Sequence, residues 1–283
     1  MVLKKVFGYF VLLSFLCLQG CWFDFYEPPA KKVGVTSPAA DDWKKDYSEL
    51  LKKYVHPEKG LVDYAGLKKE EKKLEAIIAA ISKVDAKAFK EDEKLAFWIN
   101  AYNICMLWNV LTKYPDDFKG KKVLDYGDLF FKERKFLVAG LQVTLDELEH
   151  NILRKVKPID GVSVKEVNPG LHVAISCAAM SCPPIVNVIW EAKTVVAKLK
   201  EQIEKISNNG FFVSYDAAKK KPKASSIVDW FFEDFKAEGK TVGGYLASFV
   251  KDATLKAALE KAGNDKKAFI FETYDWTLND WKK

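Results

Sequence analysis

The spacing of hydrophobic and polar positions predicts more helices than strands. Residues 42–54 and 68–84 have the spacing of amphipathic helices, whereas residues 94–111 are apolar nearly all round, which is typical of a helix covered on most sides. Shorter apolar runs predict a hairpin at 136–143 and a buried strand at 171–177. The other predicted elements are helices at 144–156, 191–207, 227–235 and 242–262, and strands at 211–215 and 268–272. Because strands and helices do not alternate regularly, we expect an α+β fold, mainly helical, with a small and mostly antiparallel sheet.

The N-terminal segment has the features of an export signal. Lys4 and Lys5 precede an apolar run at 6–18, which is the length of a secretory signal core and short for a membrane span. The run ends in Leu18-Gln19-Gly20-Cys21, which resembles the lipobox of bacterial lipoproteins. The alternative is an ordinary buried cysteine after a signal anchor. We expect residues 1–20 to be removed and Cys21 to be acylated, so that the membrane itself is a partner.

The residues after Cys21 predict a tether followed by one globular domain. Residues 21–42 contain three prolines, three alanines and one glycine and lack apolar periodicity, so we expect a disordered tether. Residues 43–283 form the single predicted domain. Trp22 stands where an aspartate would favour retention at the inner membrane, so we expect an outer-membrane lipoprotein facing the periplasm.

The composition and the absence of several motifs argue against some classes of function. The formal net charge is +6, and the chain contains arginine only at Arg134 and Arg154, which argues against nucleic-acid binding through bidentate arginine contacts. The chain has no Gly-rich phosphate loop, no His-Glu-x-x-His and no Gly-x-Ser-x-Gly. We therefore expect no cofactor.

Glu149 is the most informative polar residue, because it lies within the apolar stripe of the predicted 144–156 helix. A carboxylate on a buried face must be paired, hydrogen-bonded or protonated. One interpretation is a structural ion pair with Arg134 or Lys135, and the other is a functional role beside His150.

Three interpretations of Cys177 and Cys182 remain open. The two could form a disulfide in the periplasm, or join His150 and His172 around zinc, although their spacing matches no usual zinc pattern. The third is a catalytic thiol at Cys177. On a regular strand, His172 and Cys177 point to opposite faces, so His150 is the candidate base and Glu149 its orienting partner.

Asn100 and Asn103 are three residues apart on the buried helix and point into one neighbourhood. Buried amides must be satisfied. They either fix a crossing backbone segment or bind substrate, and we count them with His172 and Cys182 as candidate binding residues.

Several stretches together resemble one family of uncharacterised domains, the domain of unknown function 547 family. They occur in the family's order over about residues 90–281. The stretches are Phe97-Trp98-Ile99-Asn100-Ala101-Tyr102-Asn103, Phe131-Lys132-Glu133-Arg134-Lys135-Phe136, Thr144-Leu145-Asp146-Glu147-Leu148-Glu149-His150, Leu171-His172-Val173-Ala174-Ile175, Ser181-Cys182-Pro183-Pro184 and Tyr274-Asp275-Trp276-Thr277-Leu278-Asn279. The resemblance implies a possible relation to papain-like thiol hydrolases.

Two functional hypotheses follow. In the first, the protein is a thiol hydrolase or acyl-transfer enzyme acting on a peptide or amide bond, with Cys177 as nucleophile, His150 as base and Glu149 as orienting residue. In the second, it is a non-catalytic envelope module that binds a protein or glycan partner and carries a Cys177–Cys182 disulfide.

The predicted acylation of Cys21 can be tested directly by substitution. Cys21→Ala removes the acylated sulfur, so we expect an unprocessed precursor that no longer incorporates labelled fatty acid. Metabolic labelling of the variant and the wild type checks this. Normal labelling of Cys21→Ala would overturn the lipoprotein assignment.

Overall fold

A computed structural model describes residues 42–56, 58–113, 118 and 120–281. The predicted signal at 1–20, the predicted acylation site Cys21 and the predicted tether at 21–42, apart from Asp42, lie outside these residues. Within the described ranges, no helix has both the length and the apolar composition needed to cross a membrane.

The structure is mainly helical, as predicted. The α-helices are α1 (Asp42–Tyr54), α2 (Tyr64–Lys68), α3 (Glu71–Ile81), α4 (Glu91–Lys113), α5 (Leu145–Glu147), α6 (Val195–Asn208), α7 (Ser226–Trp230), α8 (Val242–Ala247) and α9 (Ala253–Ala262). Tighter 3₁₀ turns occur at Ala86–Ala88, Val123–Tyr126, Pro169–Val173, Phe232–Phe235 and Lys266–Ala268, and wider π-helical turns at Leu129–Glu133 and Leu148–Leu153.

Helix α4 is the central element. Every residue of its stretch from Lys94 to Leu111 is buried, which confirms the helix predicted from its all-round apolar pattern. Three acidic residues occupy its first turn, where they interact favourably with the positive end of the helix dipole. Neighbouring elements therefore pack around α4 on all sides.

The strands form two small sheets rather than the single sheet predicted. Strands β1 (Phe136–Val138) and β2 (Leu141–Val143) form the expected antiparallel hairpin, with Phe136 opposite Val143. The second sheet has the order β3 (Val213–Asp216), β4 (Lys221–Ala224), β5 (Ile270–Phe271). Its β3–β4 pair is antiparallel and its β4–β5 pair is parallel. The α+β class is confirmed.

The prediction of a buried strand at 171–177 is wrong. Pro169–Val173 is a 3₁₀ helix, which begins because the Asn168 side chain accepts a hydrogen bond from Gly170 N and proline occupies the first turn. The Asn168-Pro169-Gly170 sequence is therefore a helix start rather than a turn leading into a strand. His172 and Cys177 therefore do not lie on opposite faces of a strand, as the predicted strand required.

Three predicted helices are interrupted, and one of them, at 227–235, divides into α7 and the 3₁₀ turn Phe232–Phe235. The capping box of Thr144 and Glu147 is present, but the α-helix it starts continues after Glu147 as the π-helical turn Leu148–Leu153. The helix predicted at 242–262 is divided into α8 and α9, and Asp252 caps the second.

The buried hydrophobic residues form two clusters. The larger contains α1–α4 and the β1–β2 hairpin, and the smaller contains β3, β4 and α7–α9. Leu171 belongs to the larger cluster and Val173 to the smaller, so the 3₁₀ helix Pro169–Val173 contacts both. This helix leads directly into the two cysteines.

Candidate active site

A cavity of about 570 Å³ brings together most of the candidate site residues. Five of the seven predicted catalytic and binding residues line it: Glu149, His150, His172, Cys177 and Cys182. A volume of this size accommodates a small-molecule ligand or a short stretch of a polymer.

Cys177 and Cys182 lie beside each other as free thiols, not as a disulfide. The Cys177 backbone N–H donates to Cys182 Sγ over 3.0 Å. The Cys177 sulfur is itself 2.9 Å from the hydroxyl oxygen of Tyr274. The two sulfurs and the phenol therefore form one hydrogen-bonded group on the cavity wall.

The hydrogen bonds make the two thiols unequal. Burial and the hydrogen bond with Cys182 raise the pKa of Cys177 well above its ordinary value. Burial also acts to raise the pKa of Cys182, but hydrogen bonds from the Cys177 thiol and backbone outweigh it and lower the pKa. A thiolate is the nucleophilic form of cysteine, so the geometry favours Cys182 over the predicted Cys177.

Asn103 holds the segment before Cys177. Its side-chain amide donates to Ala174 O over 2.8 Å, and its Oδ1 accepts from Ser176 N over 2.9 Å. Asn100 makes the same kind of contact with Trp190, donating to its carbonyl over 2.8 Å and accepting from its N–H over 3.1 Å. Neither amide lines the cavity. The predicted binding role would require both to leave these buried backbone partners, so they position the site rather than face a ligand.

The C-terminal segment holds the cysteine loop from the other side. Met180 N donates to Thr277 O over 2.8 Å, and Asn279 N donates to Ala178 O over 2.8 Å. These bonds keep the segment that carries Tyr274 next to the loop that carries both thiols.

His172 forms a buried hydrogen bond with the Asp234 carboxylate. His172 Nε2 lies 2.8 Å from Asp234 Oδ2, and Arg154 Nε lies 2.5 Å from the same oxygen. The His172 ring stacks on Phe231, with 4.1 Å between ring centroids. Burial acts to raise the pKa of Asp234, but hydrogen bonds from His172 and Arg154 outweigh it and lower the pKa to about 2. An ionised Asp234 accepts the Nε2 proton and leaves Nδ1 as the basic nitrogen of His172.

His150 does not contact either cysteine through a hydrogen bond. Its Nδ1 lies against the Arg154 guanidinium, and its Nε2 is 3.5 Å from Asp146 Oδ1. Burial lowers the pKa of His150, and the positive charge of Arg154 acts in the same direction. The predicted Cys177–His150 dyad is thus not formed here, and Glu149 does not orient the ring.

Glu149 has neither of the partners predicted for it. Arg134 bonds instead to the side chains of Asn109 and Thr112, and Lys135 is exposed. Among the described residues, no hydrogen bond is made to the Glu149 carboxyl. Burial raises its pKa to about 8, so the group is mostly protonated at neutral pH.

Sequence reasoning missed Asp234 and Arg154, and it did not assign Tyr274 a role. Asp234 lies between Phe232 and Phe235, and an acid within such an aromatic stretch was the available signal. Tyr274 belongs to a stretch that resembled the family. Within the described part of the chain, no group of three or more His, Cys, Asp or Glu side chains is placed to hold a metal ion.

The raised pKa of Glu149 predicts a pH-dependent stability. Between pH 4.5, the ordinary pKa, and pH about 8, the native state retains a proton that the unfolded state has released. The free energy of unfolding therefore falls as the pH rises through this range, and Glu149→Gln removes that fall. Urea unfolding should show the variant gaining stability relative to wild type up to pH about 8 and no further.

Glu133→Gln is the matched control, because Glu133 is exposed and does not line the cavity. We expect its stability difference from wild type to stay constant with pH. A constant difference for Glu149→Gln as well would show that the Glu149 carboxyl is ionised in the folded protein.

Comparison with known proteins agrees with the resemblance noted in the sequence. Residues 86–205 match the model of a family described as "Protein of unknown function, DUF547". The resemblance was predicted over about 90–281, so Asp234 and Tyr274 lie beyond the matched span. No curated protein and no solved structure matches the chain. Residues 86–205, which carry both cavity thiols, both cavity imidazoles and Glu149, are therefore similar to the DUF547 family.

Proposed function

We propose that this protein is a thiol-dependent hydrolase or acyl-transfer enzyme that acts on a peptide or amide bond. The observation that supports it is that two free thiols and two imidazoles line the same cavity. Side chains of these types are the usual nucleophile and base of thiol acyl transfer.

Cys182 supplies the nucleophile in this proposal. Its sulfur accepts the Cys177 N–H, and its pKa is lowered by that contact and by the Cys177 thiol after the opposing effect of burial. Hydrogen bonds rather than an imidazolium thus stabilise the thiolate. Cys177, which the sequence favoured as nucleophile, and Tyr274 take positioning roles.

His172 is the favoured proton acceptor. Its Nε2 is held by Asp234, so the ring orientation is fixed and a positive charge on the ring is stabilised by the carboxylate. Burial lowers the pKa of His172, which leaves the ring neutral and able to accept a proton near neutral pH. His150, with both ring nitrogens beside charged side chains, is the second candidate.

The proposed reaction proceeds in two steps. The Cys182 sulfur bonds to the substrate carbonyl carbon, the thiol proton passes through an imidazole to the leaving amine, and the carbon–nitrogen bond breaks. Water then adds to the thioester, the carbon–sulfur bond breaks, and the carboxylic acid leaves as the thiol is restored. In acyl transfer, an amine or alcohol replaces the water.

We also propose that the enzyme acts in the bacterial cell envelope, anchored through acylated Cys21. The basic start, the apolar run at 6–18 and the Leu18-Gln19-Gly20-Cys21 ending support this location. The Trp22 position favours the outer membrane, with the cavity in the periplasm and a peptide or glycopeptide of the envelope as substrate.

Acylation by p-nitrophenyl acetate tests the chemistry without knowledge of the natural substrate. We expect a burst of p-nitrophenolate, at most one per protein, and an acetyl group on the Cys182 peptide. Cys182→Ala should abolish both, and Cys177→Ala should slow the burst because the hydrogen bond from its thiol is lost.

Cys105→Ala is the matched control, since Cys105 is buried within α4 and does not line the cavity. Its burst should equal that of the wild type. The enzyme proposal is wrong, and the non-catalytic module is favoured, if neither Cys177 nor Cys182 carries an acetyl group. The same conclusion follows if a variant with both Cys177→Ala and Cys182→Ala retains the burst.

A further inference from the structure

Four aromatic rings form a continuous group on the cavity wall. Trp230 and Trp276 are stacked, with 5.7 Å between ring centroids and 16° between ring planes. Tyr274 lies against both, at 4.7 Å from Trp230 and 4.5 Å from Trp276, and Phe131 lies 6.5 Å from Trp276. All four residues line the cavity. We call these four rings the aromatic wall.

The aromatic wall begins at the thiol pair. Tyr274, one of its rings, places its hydroxyl 2.9 Å from the Cys177 sulfur. The Cys177 backbone N–H in turn contacts Cys182 Sγ at 3.0 Å. A substrate whose carbonyl lies at the thiols therefore has its neighbouring groups within reach of the rings.

Trp230 is unusual in being both part of this group and exposed. Its side chain is 46% exposed, whereas Trp98 in the core is 0% exposed. Leu124, another cavity residue, is 45% exposed. Large apolar surfaces left open beside a cavity are typical of ligand-binding sites, because covering them with a ligand is favourable.

The other residues near the rings select the kind of ligand. Ile175 and Ile227 line the same cavity and offer no hydrogen-bonding side chain. Lys132 and Asp128, which also line the cavity, pair with each other, with 2.8 Å between Nζ and Oδ1. A sugar ring stacked here would need hydrogen-bond partners for its hydroxyls, since burying an unsatisfied hydroxyl is costly. An apolar ring or chain has no such requirement.

We propose that the aromatic wall is the subsite for an aromatic or large aliphatic side chain next to the carbonyl that is attacked. The inference rests on the proposed thiol chemistry for the position of that carbonyl. It specifies the substrate as a peptidyl or acyl compound with a bulky apolar group, rather than a glycan strand.

Binding measurements on the full protein test this independently of catalysis. The probes are N-acetyl-phenylalaninamide, N-acetyl-glycinamide and N,N′-diacetylchitobiose, each titrated by calorimetry. We expect the phenylalanine compound to bind most tightly. Trp230→Ala should weaken its binding about tenfold, through loss of the stacking contact and of apolar area. Trp230→Phe, which keeps a ring, should retain most of the affinity.

Trp281→Ala is the matched tryptophan control, because Trp281 packs against His56, at 5.0 Å between ring centroids, and does not line the cavity. It should bind like the wild type. Equal or tighter binding of the glycine compound or of the sugar would overturn the inference. So would absence of phenylalanine-compound binding, or unchanged affinity in Trp230→Ala.

Different results would overturn the enzyme proposal and the apolar-subsite proposal. Selective binding of the phenylalanine compound without any acetylated cysteine would overturn the enzyme proposal and support the apolar subsite. An acetylated Cys182 without a preference for the phenylalanine compound would support the enzyme and overturn the subsite.

Discussion

The position of the site depends on a buried amide, that of Asn103 in the middle of α4. Its two hydrogen bonds, to Ala174 O and from Ser176 N, satisfy backbone groups that have little access to water. Losing such an amide would leave buried donors and acceptors unpaired, which costs about 1–3 kcal/mol for each group. Because α4 is covered on all sides, the segment that ends at Ser176 is fixed to the core, and Cys177 follows it directly. Thus the element that forms the core also sets where the thiols lie.

The cavity contains many titratable groups but few net charges. Glu149 is mostly protonated at neutral pH because burial raises its pKa to about 8, and burial lowers the pKa of His172. The ionised Asp234 is balanced by Arg154. The Cys182 thiolate is favoured by hydrogen bonds from its neighbours rather than by a cationic partner. A site with neutral imidazoles beside a nucleophilic thiolate suits acyl transfer.

The sequence predicted the parts of this site that depend on local pattern. The all-round apolar run identified α4, the Thr144–Glu147 capping box identified the start of the element carrying Glu149 and His150, and the cysteine spacing drew attention to both thiols. Contacts between residues that are distant in the sequence could not be predicted from local patterns. Asp234 is 62 residues from His172, and Tyr274 is 97 residues from Cys177. The wrong prediction of a strand at 171–177 also led to a second error, because it excluded His172 as a base for Cys177.

The rate of cysteine alkylation by iodoacetamide as a function of pH, with each adduct mapped to its peptide, tests the central claim most directly. Our account predicts that Cys182 in the wild type reacts first, with a midpoint below the ordinary thiol pKa of 9.0, and that Tyr274→Phe raises this midpoint. His150→Ala should leave it nearly unchanged, because no hydrogen bond joins that ring to either sulfur. If Cys177 reacts first and slows when His150 is removed, or if both thiols titrate like free cysteine, the hydrogen-bonded thiolate at Cys182 does not exist.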